Sequence, residues 1–348
     1  MSARPRTAPP LRSGADVAEG IELVPLRRLL TSPVEVDFAL TPGDRPLVAA
    51  GEAVDPGAPL AERLRDARTI VVDGPPAGSP EGPGDAWTPT ALRGREPLPT
   101  RTAELLFRSG GHWRIGTGAG IETLETPIGG TVQAVIPGVG IRLLTEATGL
   151  LGAEVLAGPS AGRLEIVTGA GGEVRASEIN VGAAGAVIVA GARMDAEALT
   201  RARAVGVRGV VVASLGMKER RDFLASEKRG RAGAHALPPF SILILDGALR
   251  RPIASAVMAI LERLAGRTVA IVADPPCLIA EVSDLSLPEP AEGAIRVVSG
   301  PLAGAEGTWA GLAGPRRQPD GVVTEAGLVR LGERPAVAVP LGDLERFA

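Results

Sequence analysis

The sequence predicts a chain of three modules: a β-rich unit, a small α/β unit and a second β-rich unit. Three observations carry this prediction. Between Ala183 and Val272, apolar β-type runs alternate with single helix-type stretches, the rhythm of a parallel or mixed sheet covered by helices. On both sides of that region the apolar runs are short and punctuated by glycine and proline, as in small all-β units. With 348 residues, 45% of them apolar, the chain is long enough for two or three domains with real cores.

Residues 1–20 are rich in Pro, Arg and Gly and are expected to form a disordered tail. Val34-Glu-Val-Asp-Phe38 then alternates as a half-buried strand should. The stretch from Pro46 to Glu62 (PLVAAGEAVDPGAPLAE) places Gly51 and Gly57 where tight turns are needed, with Val48, Val54 and Leu60 expected to point inward. It resembles the turn of barrel-sandwich hybrid domains, the modules of biotinyl and lipoyl carriers and of the RnfC subunit of an electron-transport complex. Glu125 to Val135 (ETPIGGTVQAV) resembles the strand that completes such a sandwich. Residues 21–175 are therefore expected to form this module, with the Pro/Gly/acid-rich stretch 73–99 as a loop-like insertion. Carriers of this family attach their cofactor to a lysine at a hairpin tip. This chain has no lysine before Lys218, so the resemblance implies a structural or docking module and no cofactor.

Residues 176–285 hold the α/β pattern. Strands are expected at Gly185–Ala190, Gly209–Ala213, Phe240–Leu245 and Thr268–Val272. The helices between them run from an Asp195 cap to Val205 with Gly206 as the stop, from about Met217 to Lys228, and from Ile253 to Leu264 before Gly266. The pattern resembles the small α/β swivelling domains of multidomain proteins.

In residues 286–348 the informative stretch is Ile295 to Trp309 (IRVVSGPLAGAEGTW): a β-run, a Gly-Pro turn, a glycine pair three apart and a second β-run. It resembles the KOW motif of the small SH3-like β-barrels in NusG-type transcription factors and ribosomal proteins. Gly304 stands at the place of the family's turn glycine, and the match implies a partner-binding turn at Gly300, Pro301, Gly304, Gly307 and Trp309. The resemblance implies contact with RNA or with a protein of the transcription or translation machinery. Residues 291–348 carry six arginines against seven acidic residues, whereas RNA contact draws on a basic face, so a protein partner is the expectation. A purely structural barrel is the alternative.

Composition excludes several chemistries. The net charge of −3 gives no general attraction to nucleic acid or anionic lipid, and the absence of Tyr, with five Phe and three Trp, argues against base stacking on single strands. One cysteine, Cys277, excludes an intramolecular disulfide and a cysteine-based metal or iron–sulfur cluster. No apolar run approaches the roughly 20 residues of a membrane span, and Met1–Leu11 lacks the apolar stretch of a signal peptide, so a cytoplasmic location is expected. His112 and His235 stand in unrelated contexts without metal-ligand spacing. Gly158-Pro-Ser160-Ala-Gly162 matches the GxSxG string of serine hydrolases, but Arg163–Val167 downstream reads as a strand where that motif needs a helix.

The remaining ligand-site candidate follows from topology. In open α/β sheets ligands bind beyond the carboxyl ends of the strands. Three loops leave such ends here, bringing Arg193, then Ser214, Gly216 and Lys218, then Asp246, Arg250 and Arg251. Gly216 opens a helix, so free N–H groups with Lys218 or Arg193 would suit a small anion, a phosphate group or an acidic peptide. The same residues also read as an N-cap, an Asp-Gly turn and solvated or ion-paired arginines. The run Lys218–Arg231, with six basic and three acidic residues, reads likewise as an acid- or RNA-binding face or as a solvated helix, with Glu227 and Arg231 spaced for an ion pair. The leading functional expectation is a non-catalytic adaptor. An enzyme or enzyme subunit with an anionic ligand at the α/β edge, and an accessory subunit of an electron-transfer complex, are the alternatives.

Overall fold

The computed structural model describes residues 24–26, 28–41, 44–64, 68–73, 86–87, 103–109, 112–117, 121–231, 239–281 and 292–347. The expected tail 1–20, most of the 73–99 stretch and His235 lie outside these residues. The chain forms several β-sheets and few helices, a multi-domain β-rich fold.

The first unit is a pair of small sheets. Val34–Ala39, Gly140–Thr145, Gly130–Ile136 and Ala53–Val54 form one; Arg45–Pro46, Pro59–Leu64 and Ile121–Glu125 form the other. Along Val34–Ala39 the side chains alternate as the sequence requires, with Val34, Val36 and Phe38 buried. Gly51 and Gly57 turn the chain with φ of 89° and 87°, and Gly130 lets its strand approach the Leu144 carbonyl, which a Cβ would meet at 2.4 Å. Val54 and Leu60 are buried between the sheets and Val48 packs against them. The two stretches singled out in the sequence pair directly, Gly130 with Val54 and Thr131 with Ala53. The hairpin Pro59–Leu64/Ile121–Glu125 leads on to Arg68–Asp73 paired with His112–Thr117, and Ala103–Ser109 and Ala86–Trp87 complete a four-stranded sheet. A short strand thus stands inside the stretch expected to be a loop, where the Pro and Gly content masked the β-type residues.

The α/β unit is one curled sheet. Its order is Glu154–Leu156, Ser241–Gly247, Gly209–Ser214, Ala186–Val189, Ser160–Ile166, Thr268–Ala273, Pro276–Ala280, Thr148–Leu151 and Leu29–Leu30. The strands from Ser160–Ile166 to Ser241–Gly247 run parallel. Thr148–Leu151 pairs with Pro276–Ala280, whereas Glu154–Leu156, just downstream, pairs with Ser241–Gly247 at the far end, so one continuous stretch joins the two ends of the order. Residues 148–166, upstream of the expected boundary at 175/176, therefore belong to this sheet. Period-two alternation decides which face each residue serves. Ile188, Val210, Val212, Ile242 and Ile244 share a core with helices α1 (Ala196–Val205) and α2 (Met217–Arg231). Val187, Val189, Val211, Leu243 and Leu245 pack with α3 (Ser255–Leu264). Helix α1 starts and stops as its sequence dictates: the Asp195 side chain accepts from the Ala198 N–H, and Gly206 ends it with φ 92°. The outer face of the antiparallel pair, through Ala270, Val272, Cys277 and Ile279, merges into the core of the first unit beside Val36 and Leu143.

The C-terminal unit orders its strands as Val24–Leu26, Leu344–Phe347, Ala294–Val297, Glu306–Arg317, Val323–Arg330 and Val337–Pro340, with a 3-10 turn at Leu341–Asp343 before the last strand in sequence. Its core is its own: Ile295, Val297, Val329, Val339 and Leu344, with Trp309 half-buried among them. One N-terminal segment stitches everything together, because Val24–Leu26 adds to this sheet, Leu29–Leu30 to the α/β sheet and Val34–Ala39 to the first unit.

Gly327 faces the Trp309 ring so closely that a Cβ would lie 2.2 Å from it. Gly327→Ala is expected to destabilise the C-terminal unit by about 1–3 kcal/mol, the cost of overpacking, read by urea unfolding followed by tryptophan fluorescence. An unchanged midpoint would contradict this packing.

Candidate functional site

The carboxyl ends of the parallel strands deliver the three loops that topology nominated, and their polar groups are already engaged. On the α2 side, Ser214 is buried and its hydroxyl donates to the Ala192 carbonyl at 2.7 Å. Gly216 precedes α2, and the Glu219 carboxylate in the first turn folds back so that a Cβ on Gly216 would stand 2.3 Å from Oε2. Arg193 Nη2 donates to Glu219 Oε1 at 3.1 Å. The niche expected to hold an anion is thus filled by the chain's own carboxylate, which also complements the helix N-terminus. Lys218 is exposed on the rim.

On the other side, Arg250 is solvent-facing and 3.5 Å from Glu173. Asp246 is a different case. Its side chain is only 3% exposed and lies between two guanidinium groups. Arg28 Nη2 donates to Oδ1 at 2.5 Å and Arg28 Nη1 to the Leu245 carbonyl at 2.8 Å. Arg296, with a fully buried side chain, donates end-on to both carboxylate oxygens at 3.1 and 3.0 Å, and to the Pro252 carbonyl at 2.6 Å. Glu345 Oε1 stands 3.6 Å from Arg296 Nη1 without a hydrogen bond, and burial pushes its carboxyl above the usual glutamate range, with Arg296 and Arg28 offsetting only part of that. Arg251 completes the cluster with a buried, unpartnered Nε. Asp246 is therefore a joint between the α/β sheet, the N-terminal segment and the C-terminal unit rather than a ligand group. The seven nominated residues separate into two sets, one around Glu219 and one around Asp246, with Arg193 Nε and Arg251 Nε buried without hydrogen-bond partners.

The turn expected to bind a partner is also partly used inside the molecule. Gly304, φ 87°, lies against the α/β unit, where a Cβ would stand 2.4 Å from Pro252 Cδ and 2.9 Å from Arg251 Cβ. Gly307 faces the Arg330 carbonyl, and Trp309 packs on Gly327. Gly300 and Pro301 remain exposed. Next to this turn Glu306 reaches across to α3: its Oε1 accepts from the Ser255 N–H at 2.8 Å and its Oε2 from the Ser255 hydroxyl. Ala254, at the N-cap position, supplies no side-chain cap, so the C-terminal unit caps the helix.

Local sequence reading missed Arg28, Arg296, Glu306 and Glu345 because their partners lie far away in the chain, 218 residues in the case of Arg28 and Asp246. One signal was present: Arg296 sits inside the apolar run Ile295-Arg-Val-Val298, an arginine in a strand with no solvent-facing company.

Other nominated chemistry does not assemble. Ser160 is buried and hydrogen-bonded to Ser241, and it starts the strand Ser160–Ile166, so it forms no exposed nucleophile elbow. Cys277 is buried, which pushes its thiol up to about 12 and leaves it protonated. No group of three or more metal-ligating side chains occurs among the described residues. Two acidic residues of α2 pair outward, Glu219 with Arg193 and Glu227 with Arg203, Asp222 pairs with Arg221 in the helix, and Arg220 pairs with Glu154; the expected partner Arg231 lies outside the described side chains. A surface cleft of about 240 Å³ lies between α1 and α2, lined by Leu199, Arg203, Glu219, Asp222, Phe223 and Ser226 among others. Arg203 covers the Phe223 and Phe240 rings at 5.7 and 5.4 Å, which uses the guanidinium for packing. No helix among the described residues is long and apolar enough to cross a membrane.

Compared with known proteins, the chain matches no family model and none of the curated proteins.

The position of Glu345 fixes a pH dependence. A carboxyl raised by burial costs stability when ionised, and that cost disappears as pH falls below the ordinary carboxylate range. Glu345→Gln is therefore expected to stabilise the protein by roughly 1 kcal/mol at pH 8, the order of one unpaired buried acceptor, with the gain fading toward about pH 4. Thermal unfolding across this range checks it, and a destabilised variant at pH 8 would contradict a burial cost that exceeds the attraction of Arg296.

Proposed function

We propose that this chain is a non-catalytic cytoplasmic adaptor that docks on a larger assembly of the transcription or translation machinery. In this reading a barrel-sandwich hybrid module and a swivelling-like α/β module form a rigid base, and the C-terminal unit is a KOW-like barrel that makes the outward contact. The observation that carries the proposal is the far end of that barrel. The hairpin Glu306–Arg317/Val323–Arg330 ends in a tip where Val322 and Val323 are 54% and 55% exposed, beside exposed Arg316 and Arg317. Leu312 and Val337 are exposed on the same sheet. Large apolar side chains left in water on one element are a feature of partner-binding surfaces, and the basic pair favours an acidic partner face. The internal use of Gly304 and Trp309 moves the expected contact from the Gly300–Trp309 turn to this tip.

Supporting the same reading, Ser214, Arg193 and Asp246 at the α/β carboxyl edge are engaged by partners within the chain, which works against the alternative of an anionic ligand there. The test is affinity purification of the tagged protein after nuclease treatment, followed by mass spectrometry. Co-purification of polymerase or ribosomal proteins with the wild type, and its reduction about tenfold or more by the double variant Val322→Ser/Val323→Ser, is the expected result, since truncation of central apolar contacts costs 1 kcal/mol or more each. A wild type that emerges alone, or a folded variant that retains its partners, would overturn the proposal.

A further inference from the structure

The two junctions within this molecule are made of different material. The first unit and the α/β sheet share one apolar core, in which Ala270, Val272, Cys277 and Ile279 pack with Val36, Leu143 and Ile141. Separating them would expose that whole surface to water. The C-terminal unit, by contrast, keeps its apolar core to itself. Its contacts with the α/β sheet are polar or turn-like: Arg296 on Asp246 and the Pro252 carbonyl, Glu306 on Ser255, and Gly304 against Pro252.

That polar junction is also incompletely satisfied. Arg251 Nε, Arg296 Nε and Glu345 Oε1 are buried there without hydrogen-bond partners, and each would regain water on separation. Separation would not strand the Asp246 carboxylate, because Arg28 stays beside it on the segment that pairs Leu29–Leu30 into the α/β sheet and donates to the Leu245 carbonyl, while Val24–Leu26, the edge strand on Leu344–Phe347, travels with the barrel. Helix α3 would lose its Glu306 cap, yet its N-terminus would then face water, which can take over the Ser255 N–H.

We propose that the C-terminal barrel is a releasable module, which docks on and leaves the carboxyl edge of the parallel strands as a unit while the first unit and the α/β sheet remain joined. In the docked state it packs on Asp246, Arg251 and Pro252 and caps the start of α3; in the released state it lays these open. Polar interfaces between units of one chain permit such rigid-body motion where apolar ones resist it. The device holds whether or not the barrel's tip binds a partner.

The test uses spin-label distances in the full chain. Cys277 is buried and protonated and stays unlabelled, so cysteines introduced at exposed positions take the label alone. One pair, Glu197→Cys with Glu333→Cys, spans the α/β unit and the barrel. A reference pair, Glu197→Cys with Thr131→Cys, spans the α/β unit and the first unit. Each is measured alone and combined with Asp246→Asn or with Glu306→Gln, the second of which leaves the buried cluster intact. The expected result is a longer, broader population for the barrel pair, raised about tenfold or more by either substitution, with the reference pair narrow throughout. A barrel pair that stays narrow in every variant overturns the proposal, and so does broadening of both pairs together, which would mean loss of the fold rather than release of a module.

Discussion

A single carboxylate, that of Asp246, holds the arrangement together. It stands at the end of the strand Ser241–Gly247, between Arg28 from the N-terminal segment and Arg296 from the C-terminal unit. Neither arginine would tolerate burial without it. A guanidinium removed from water needs a nearby negative charge and good geometry to offset its desolvation, and Arg296 has both in its end-on contact with Asp246 and its bond to the Pro252 carbonyl. The junction is thus specified by charge geometry at one point, whereas the other junction is specified by shape and apolar area. The same N-terminal segment that carries Arg28 also pairs Val24–Leu26 with Leu344–Phe347 in the C-terminal sheet.

The consequence for function is that the edge of the α/β sheet where a ligand would be sought is taken up by the molecule's own joinery. Glu219 occupies the start of α2, Glu306 the start of α3, and the two arginines occupy Asp246. What remains for the outside world is the surface of the modules themselves, above all the hairpin tip around Val322 and Val323. The near-neutral charge and the exposed apolar and basic tip are the features on which the proposed protein contact rests.

Local order was legible in the sequence, and long-range order was not. The alternation of Val34–Phe38, the Asp195 cap and Gly206 stop of α1, and the turns at Gly51 and Gly57 are dictated by neighbours within a few residues, and the structure follows them. The pairing of Gly130 with Val54 could be anticipated because both strands carry recognisable patterns. The closure of the α/β sheet by residues 148–156 could not, since those residues form two short strands around Gly152 and show no alternation long enough to assign them. The pairing of the candidate-site residues was hidden for a related reason. Arg193, Asp246 and Arg251 stand at a strand edge, but whether a charge is free or paired depends on residues 26 to 218 positions away, and no local pattern encodes that. Gly304 shows the same limit: its turn geometry was readable, while the surface it turns toward was not.

The most direct measurement is a double-mutant cycle on Asp246 and Arg296 using equilibrium unfolding of wild type, Asp246→Asn, Arg296→Gln and the double variant. If the carboxylate is the joint described here, the two residues are coupled by roughly 2 kcal/mol or more, at the upper end for contacting residues in one buried network. Additive effects, with a coupling near zero, would mean that the two side chains act independently and that the C-terminal unit is held in place by something else.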